Sequence, residues 1–156
     1  MMRGLRLLAL ALVACASACT PGAPAAVSNS LQAGTIVIHL GLTRYGATNT
    51  QYGVVSGYSQ NPLTVASGAV IQFENDDDFG HTATFLSTTG FPAEGPPVSA
   101  ETPSGTDVTQ PGWSTGELVG GAISRAFRAT TPGVYFYGCF HHYSLNPPMR
   151  GVIIVQ

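Results

Sequence analysis

Two runs of strand-forming residues close the chain, at 133–138 and 151–155, and the loop between them carries an unusual set of side chains. Cys139 follows the first run directly, His141 and His142 come next but one, and Met149 stands just before the second run. A thiol, an imidazole and a thioether drawn from one loop can converge only if the loop's ends are clamped, and pairing of the flanking strands clamps them. This requirement constrains the fold more than any other feature of the sequence.

The rest of the chain agrees with an architecture of paired strands. Residues 35–40 are dense in β-branched side chains, and 63–75 read as strand, Gly turn, strand. In the second part Ile71 and Phe73 alternate with Val70, Gln72 and Glu74, the period-2 pattern of a half-buried strand. Residues 81–86 and 122–129 are strand-like as well, and Thr131-Pro132-Gly133 is a turn. Residues 41–61 support only a weak hairpin or a long loop. The Thr-, Ser-, Pro- and Gly-rich stretch 87–116 reads as an excursion over one face, with Phe91 and Trp113 as lids on the core. No amphipathic helix of any length is present. With 19 Gly and 11 Pro in 156 residues, the chain is expected to be all-β, a single two-sheet Greek-key sandwich.

The N-terminus reads as a targeting segment. Arg3 and Arg6 precede an apolar run, 7–13, too short for a permanent membrane span. Two processing routes stay open. Leu12-Val13-Ala14-Cys15 resembles a lipobox, in which Cys15 would be lipidated, whereas Ala16-Ser17-Ala18 before Cys19 resembles a signal-peptidase site or a second, poorer lipobox. The expected organisation is a signal peptide at 1–19, a flexible tether at 20–34 and one folded domain at 35–156. Either route exports the protein, to the periplasm or to the outer surface on a lipid anchor, which would be its only membrane contact. Beyond the signal, four Arg stand against eight Asp and Glu, and Lys is absent throughout. A basic surface for nucleic acid is thereby excluded.

Only Cys139 lies inside the folded domain, so a disulfide framework is excluded there. Upstream, His81 follows the acidic turn Asp76-Asp77-Asp78-Phe79-Gly80. One Cys, two His and one Met form a donor set suited to copper, combining soft sulfur, imidazole and a weak thioether. Each alone has a plainer explanation, since a single Cys or Met in an apolar setting is usually packing. Their conjunction is what points to one metal ion per chain. His141 stands beside His142 as a competing donor, and the residues by themselves leave the choice between the two open. His39, with no acidic or sulfur neighbour close in sequence, is expected to take no metal. Asp76 to Asp78 lack the spacing of a calcium loop and read as a solvated turn.

Phe73-Glu74-Asn75, His81-Thr82, the run from Pro132 through Tyr137-Gly138-Cys139, and His142 with Met149-Arg150-Gly151 together resemble the cupredoxins, the blue copper proteins of the plastocyanin and azurin type. The resemblance covers about 63–156 and extends plausibly to residue 35. It implies a mononuclear copper site with His81, Cys139 and His142 as equatorial ligands and Met149 as the axial one. It also implies that Thr82 ties the two ligand loops together, with Asn75 supporting the site from behind. The six residues between His142 and Met149, including Pro147-Pro148, exceed the family's compact loops. The implied function is one-electron transfer between redox proteins that dock transiently, by a monomer and without catalysis. The alternative is a non-redox copper-handling module. Four His in all are too few for an oxidase or reductase with further copper centres.

Overall fold

The computed structural model describes residues 29–156. The signal segment, both lipidation candidates, Cys15 and Cys19, and the tether as far as residue 28 lie outside the described residues.

The described residues form nine strands: β1 (Ile36–Leu40), β2 (Thr48–Thr50), β3 (Gly53–Val55), β4 (Leu63–Val65), β5 (Ala69–Asn75), β6 (Thr84–Ser87), β7 (Phe127–Ala129), β8 (Gly133–Gly138) and β9 (Arg150–Val155). One sheet has the order β1-β5-β7, the other β4-β9-β8-β6, and β2 and β3 form a separate hairpin. β1 pairs with β5, and β4 with β9, in parallel. Parallel neighbours need crossover connections, and here the chain passes between sheets from β4 to β5, β5 to β6, β6 to β7 and β7 to β8. The result is the two-sheet Greek-key sandwich expected from the strand pattern.

The inward faces meet in one core. Ile38 and Leu40 of β1, Ile71 and Phe73 of β5 and Phe127 of β7 face Tyr135 and Tyr137 of β8 and Ile153 and Val155 of β9. Strict alternation fails in β8 and β9 because their other face is also covered. Phe136 and Val152 pack there with Val55, under a rim that includes Tyr52 and Phe91. The hairpin β2-β3 therefore shields the back of the larger sheet, and a segment that reads weakly in sequence has a defined packing role.

The excursion 87–116 differs from its expected role. Phe91 does act as a cover, edge-on to Phe136 with the Arg150 guanidinium 4.3 Å above its ring centre. Trp113 is no lid: it is 1% exposed and stacks on Phe73 with ring centres 5.6 Å apart. The excursion returns along β6, where the Phe85 amide donates to the Trp113 carbonyl and the Thr115 amide to the Ala83 carbonyl. Its only regular element is a 3₁₀ turn, Val98–Glu101. The strand expected over 122–129 is shorter than its pattern, since only Phe127–Ala129 pairs continuously with β5 while Ile123 bridges to Glu74.

Residues 29–32 are bonded to the sandwich. The Asn29 amide donates to the Ile123 carbonyl, and the Gln72 side chain accepts from the Gln32 amide and donates to the Ser30 carbonyl. The last part of the expected tether is thus fastened to β5 and its neighbour. No helix among the described residues is long and apolar enough to cross a membrane. Trp113 joins the excursion to the core, so Trp113→Ala is expected to cost about 3–5 kcal/mol, read as a lower midpoint in urea unfolding with an unchanged slope.

Candidate metal centre

Two loops at one end of the sandwich bring the donors together. The first follows β5, where Asn75 ends the strand and shapes the turn. Its side-chain amide donates to the Phe79 and Leu118 carbonyls, each at 2.7 Å, while its oxygen accepts from the Asp77 amide at 3.0 Å. Side chains of this type mimic a backbone turn in this way. The turn delivers His81, whose backbone pairs in both directions with Leu118.

The second loop leaves β8 at Cys139 and re-enters β9 after Met149. It is closed at its base, because the Cys139 amide donates to the Met149 carbonyl at 3.1 Å and the Met149 amide to the His142 carbonyl at 3.0 Å. Thr82 joins the two loops. Its hydroxyl accepts from the Phe140 amide at 2.9 Å, and its own amide donates to Cys139 Sγ at 3.4 Å.

Within this frame His81 Nδ1 lies 3.1 Å from His142 Nδ1 and 3.8 Å from Cys139 Sγ, and His142 Nδ1 lies 3.4 Å from the same sulfur. A metal at about 2.0–2.1 Å from nitrogen and about 2.3 Å from sulfur spaces its ligands by roughly 3–4 Å. The three donors fit that spacing. Met149 is fully buried, adjoins Cys139 and His142 through its backbone, and packs against Gly57. Gly57 has a φ of +77°, and a Cβ there would fall 2.4 Å from Met149 Cγ, so this position needs glycine both for its backbone and for its neighbour. His141 points elsewhere, with Nε2 at 3.7 Å from carboxylate oxygens of Glu101 and Glu117.

Two expectations need correction. The acidic turn is not simply solvated. Only Asp78 of the three is exposed, while Asp77 is buried, with a carboxylate oxygen 2.9 Å from His81 Nε2 and accepting from the Leu42 amide at 2.7 Å. His39 does have acidic neighbours. The parallel register sets it opposite Glu74, and its Nδ1 is 3.1 Å from Asp76 Oδ1, whose other oxygen accepts from Tyr45. Sequence distance hid both contacts, since Leu42 and Tyr45 reach these carboxylates only after β1 has paired with β5.

Burial dominates the electrostatics of the donors. It lowers the pKa of His81, against the opposing pull of Asp77. It also brings His142 down to about 4, helped by the neighbouring His81 and His141. Burial pushes the Cys139 thiol up, although the amides of Thr82 and the loop pull the other way. Without a cation, burial thus favours neutral imidazoles and a protonated thiol at this site. A bound cation reverses the balance at sulfur, because a coordinated thiol loses its proton.

Among protein-family models and among curated proteins this chain has no match. Among solved structures it is similar to amicyanins. A reduced Cu(I) form of one amicyanin variant at pH 4 superposes with a TM-score of 0.53 at 17% identity, over 85% of this chain and 95% of that one. A second variant in its Cu(I) form gives 0.51 at 15% identity over the same shares. An oxidised third gives 0.50 at 16%, over 81% of this chain and 86% of that one. The fold is cupredoxin-like, as the sequence resemblance implied.

An imidazole with a lowered folded-state pKa takes up protons on unfolding. For His142 this happens between about 4 and the ordinary 6.5, so stability falls as pH falls through that window. The metal-free protein is expected to melt at progressively lower temperature from pH 7 to pH 4 in calorimetry, and His142→Gln is expected to flatten that dependence.

Proposed function

We propose that this protein is a one-electron carrier that binds one copper ion per chain through His81, Cys139, His142 and Met149 and shuttles electrons between redox partners. The observation that carries this reading is the convergence of Cys139 Sγ, His81 Nδ1 and His142 Nδ1 within 4.8 Å of one another, at the end of a cupredoxin-like sandwich. Copper bound there would supply a single-electron couple between Cu(I) and Cu(II), for which one thiolate, two imidazoles and a weak thioether are an acceptable compromise.

The chain's own part is to keep the donors still. Cys139 and Met149 are tied at the roots of β8 and β9, His81 is locked by its double backbone bond to Leu118, and Thr82 clamps one loop to the other. Ligands that barely move add little to the barrier for electron transfer. His142 is the partly exposed donor and marks the exit. Phe79, which is 45% exposed, stands edge-on to its ring, and Leu145 in the same loop is 43% exposed. With Pro147 and Pro148 they would offer a small uncharged patch for brief docking, in keeping with the low area of transient redox encounters.

The N-terminal signal pattern supports export to the periplasm or the outer surface, with Cys15 or Cys19 as a lipid attachment point. A monomer suits a carrier that must release its partner quickly. Cys139 is fully buried and burial pushes its thiol pKa up, the opposite of an activated nucleophile, which favours a carrier over an enzyme.

Titration of the metal-free domain with Cu(II) is expected to give an intense visible thiolate-to-copper band, saturating at one copper per chain, and a reversible one-electron wave. Cys139→Ser is expected to abolish the band and Met149→Ala to shift the potential. Copper binding without a thiolate band or a reversible wave would replace electron transfer with non-redox copper handling.

A further inference from the structure

Asp77 is a buried carboxylate that the proposed ligand set does not use. It is 8% exposed, and the imidazole it meets is fully buried. Three fixed contacts hold it: its amide donates to Asn75 Oδ1 at 3.0 Å, its Oδ2 accepts from the Leu42 amide at 2.7 Å, and the same oxygen lies 2.9 Å from His81 Nε2. On the other side Gly120 packs so closely that a Cβ there would fall 2.7 Å from the Asp77 carbonyl oxygen. The turn therefore cannot swing away from His81 without unpacking its neighbours. Among the described residues His81 is the only ionic partner of this carboxylate.

The same Asp77 oxygen that accepts from the Leu42 amide faces the ring, and an accepting oxygen requires the proton on the imidazole nitrogen opposite it. His81 is then protonated at Nε2, and Nδ1, which faces Cys139 and His142, keeps its lone pair. A neutral acceptor would orient the ring equally well. A carboxylate does more, because it raises the basicity of the ligating nitrogen and places a full negative charge in a dry surrounding where charge is weakly screened.

Resting on the copper reading above, we infer that Asp77 is a positioning residue: it locks His81 in the Nε2–H tautomer and biases the centre toward the more positively charged state of the metal. The first effect belongs to the metal-free protein and the second to the loaded one, so the two readings can fail separately.

Nitrogen NMR of the copper-free wild-type protein is the first test, and it needs no variant. A single His81 signal set with the proton on Nε2 is expected, whereas a proton on Nδ1, or rapid exchange between the two forms, would overturn the assignment. In Asp77→Asn the copper-free His81 is expected to populate both tautomers. After loading, the preference for Cu(II) over Cu(I) is expected to fall at least tenfold, a rise in potential of about 59 mV for one electron. A tautomer and a potential both unchanged in Asp77→Asn would overturn the proposal. Wild-type protein that shows the locked tautomer but no thiolate-to-copper band would sink the copper reading while leaving the role of Asp77 toward His81 standing.

Discussion

The bond from the Phe140 amide to the Thr82 hydroxyl is the contact on which the donor geometry depends. It joins the loop after β8 to the loop after β5, and these loops belong to different sheets. Because the Thr82 amide also faces Cys139 Sγ, one residue fixes both the separation of the loops and the surroundings of the sulfur. Asn75 does the comparable work one layer back, tying the acidic turn to Leu118. Neither residue needs to touch a metal to decide where the donors sit.

Burial then gives these contacts their energetic meaning. The site sits above a ring of packed aromatics, with Tyr137 between Tyr58 and Phe73, and Phe73 stacked on Trp113. Such a floor has little freedom to relax, so the donors above it are held to small displacements. The same dryness disfavours charge on every donor. The chain has thus arranged groups that are each more comfortable neutral around a point where a cation would be welcome, with the hydrogen-bonded Asp77 carboxylate behind His81.

How much of this was legible in the sequence follows from the range of each contact. Cys139, His142 and Met149 lie in one loop between recognisable strands, so their proximity could be read locally. His81 could be placed because it sits beside Thr82 after an alternating strand, a pattern that the resemblance to cupredoxins interprets. Asp77 could not, since acidity beside Asp76 and Asp78 looks like solvation until the Leu42 amide arrives from the other side of a parallel pair. Trp113 was opaque for a related reason. Its neighbours in sequence are Gly and Ser, without any period, and only the return of the excursion along β6 puts it in the core. The alternation of β5 was readable because its second face carries the polar Gln72 and Glu74, although Gln72 is itself buried beneath residues 30–32, whereas that of β8 was blurred by the β2-β3 hairpin on its back.

The closed base of the loop from Cys139 to Met149 has a consequence for how this surface can vary. With the ends held by backbone bonds, residues inserted or removed between them change only the conformational freedom of a short connection. Doubling the length of a flexible loop costs about 0.6 kcal/mol. Past Tyr143, which is buried and donates to the Pro92 carbonyl, residues 144–148 are therefore a tolerant segment on a rigid footing. Its length and side chains can diverge to suit different docking surfaces, while the sulfur at each end keeps its place.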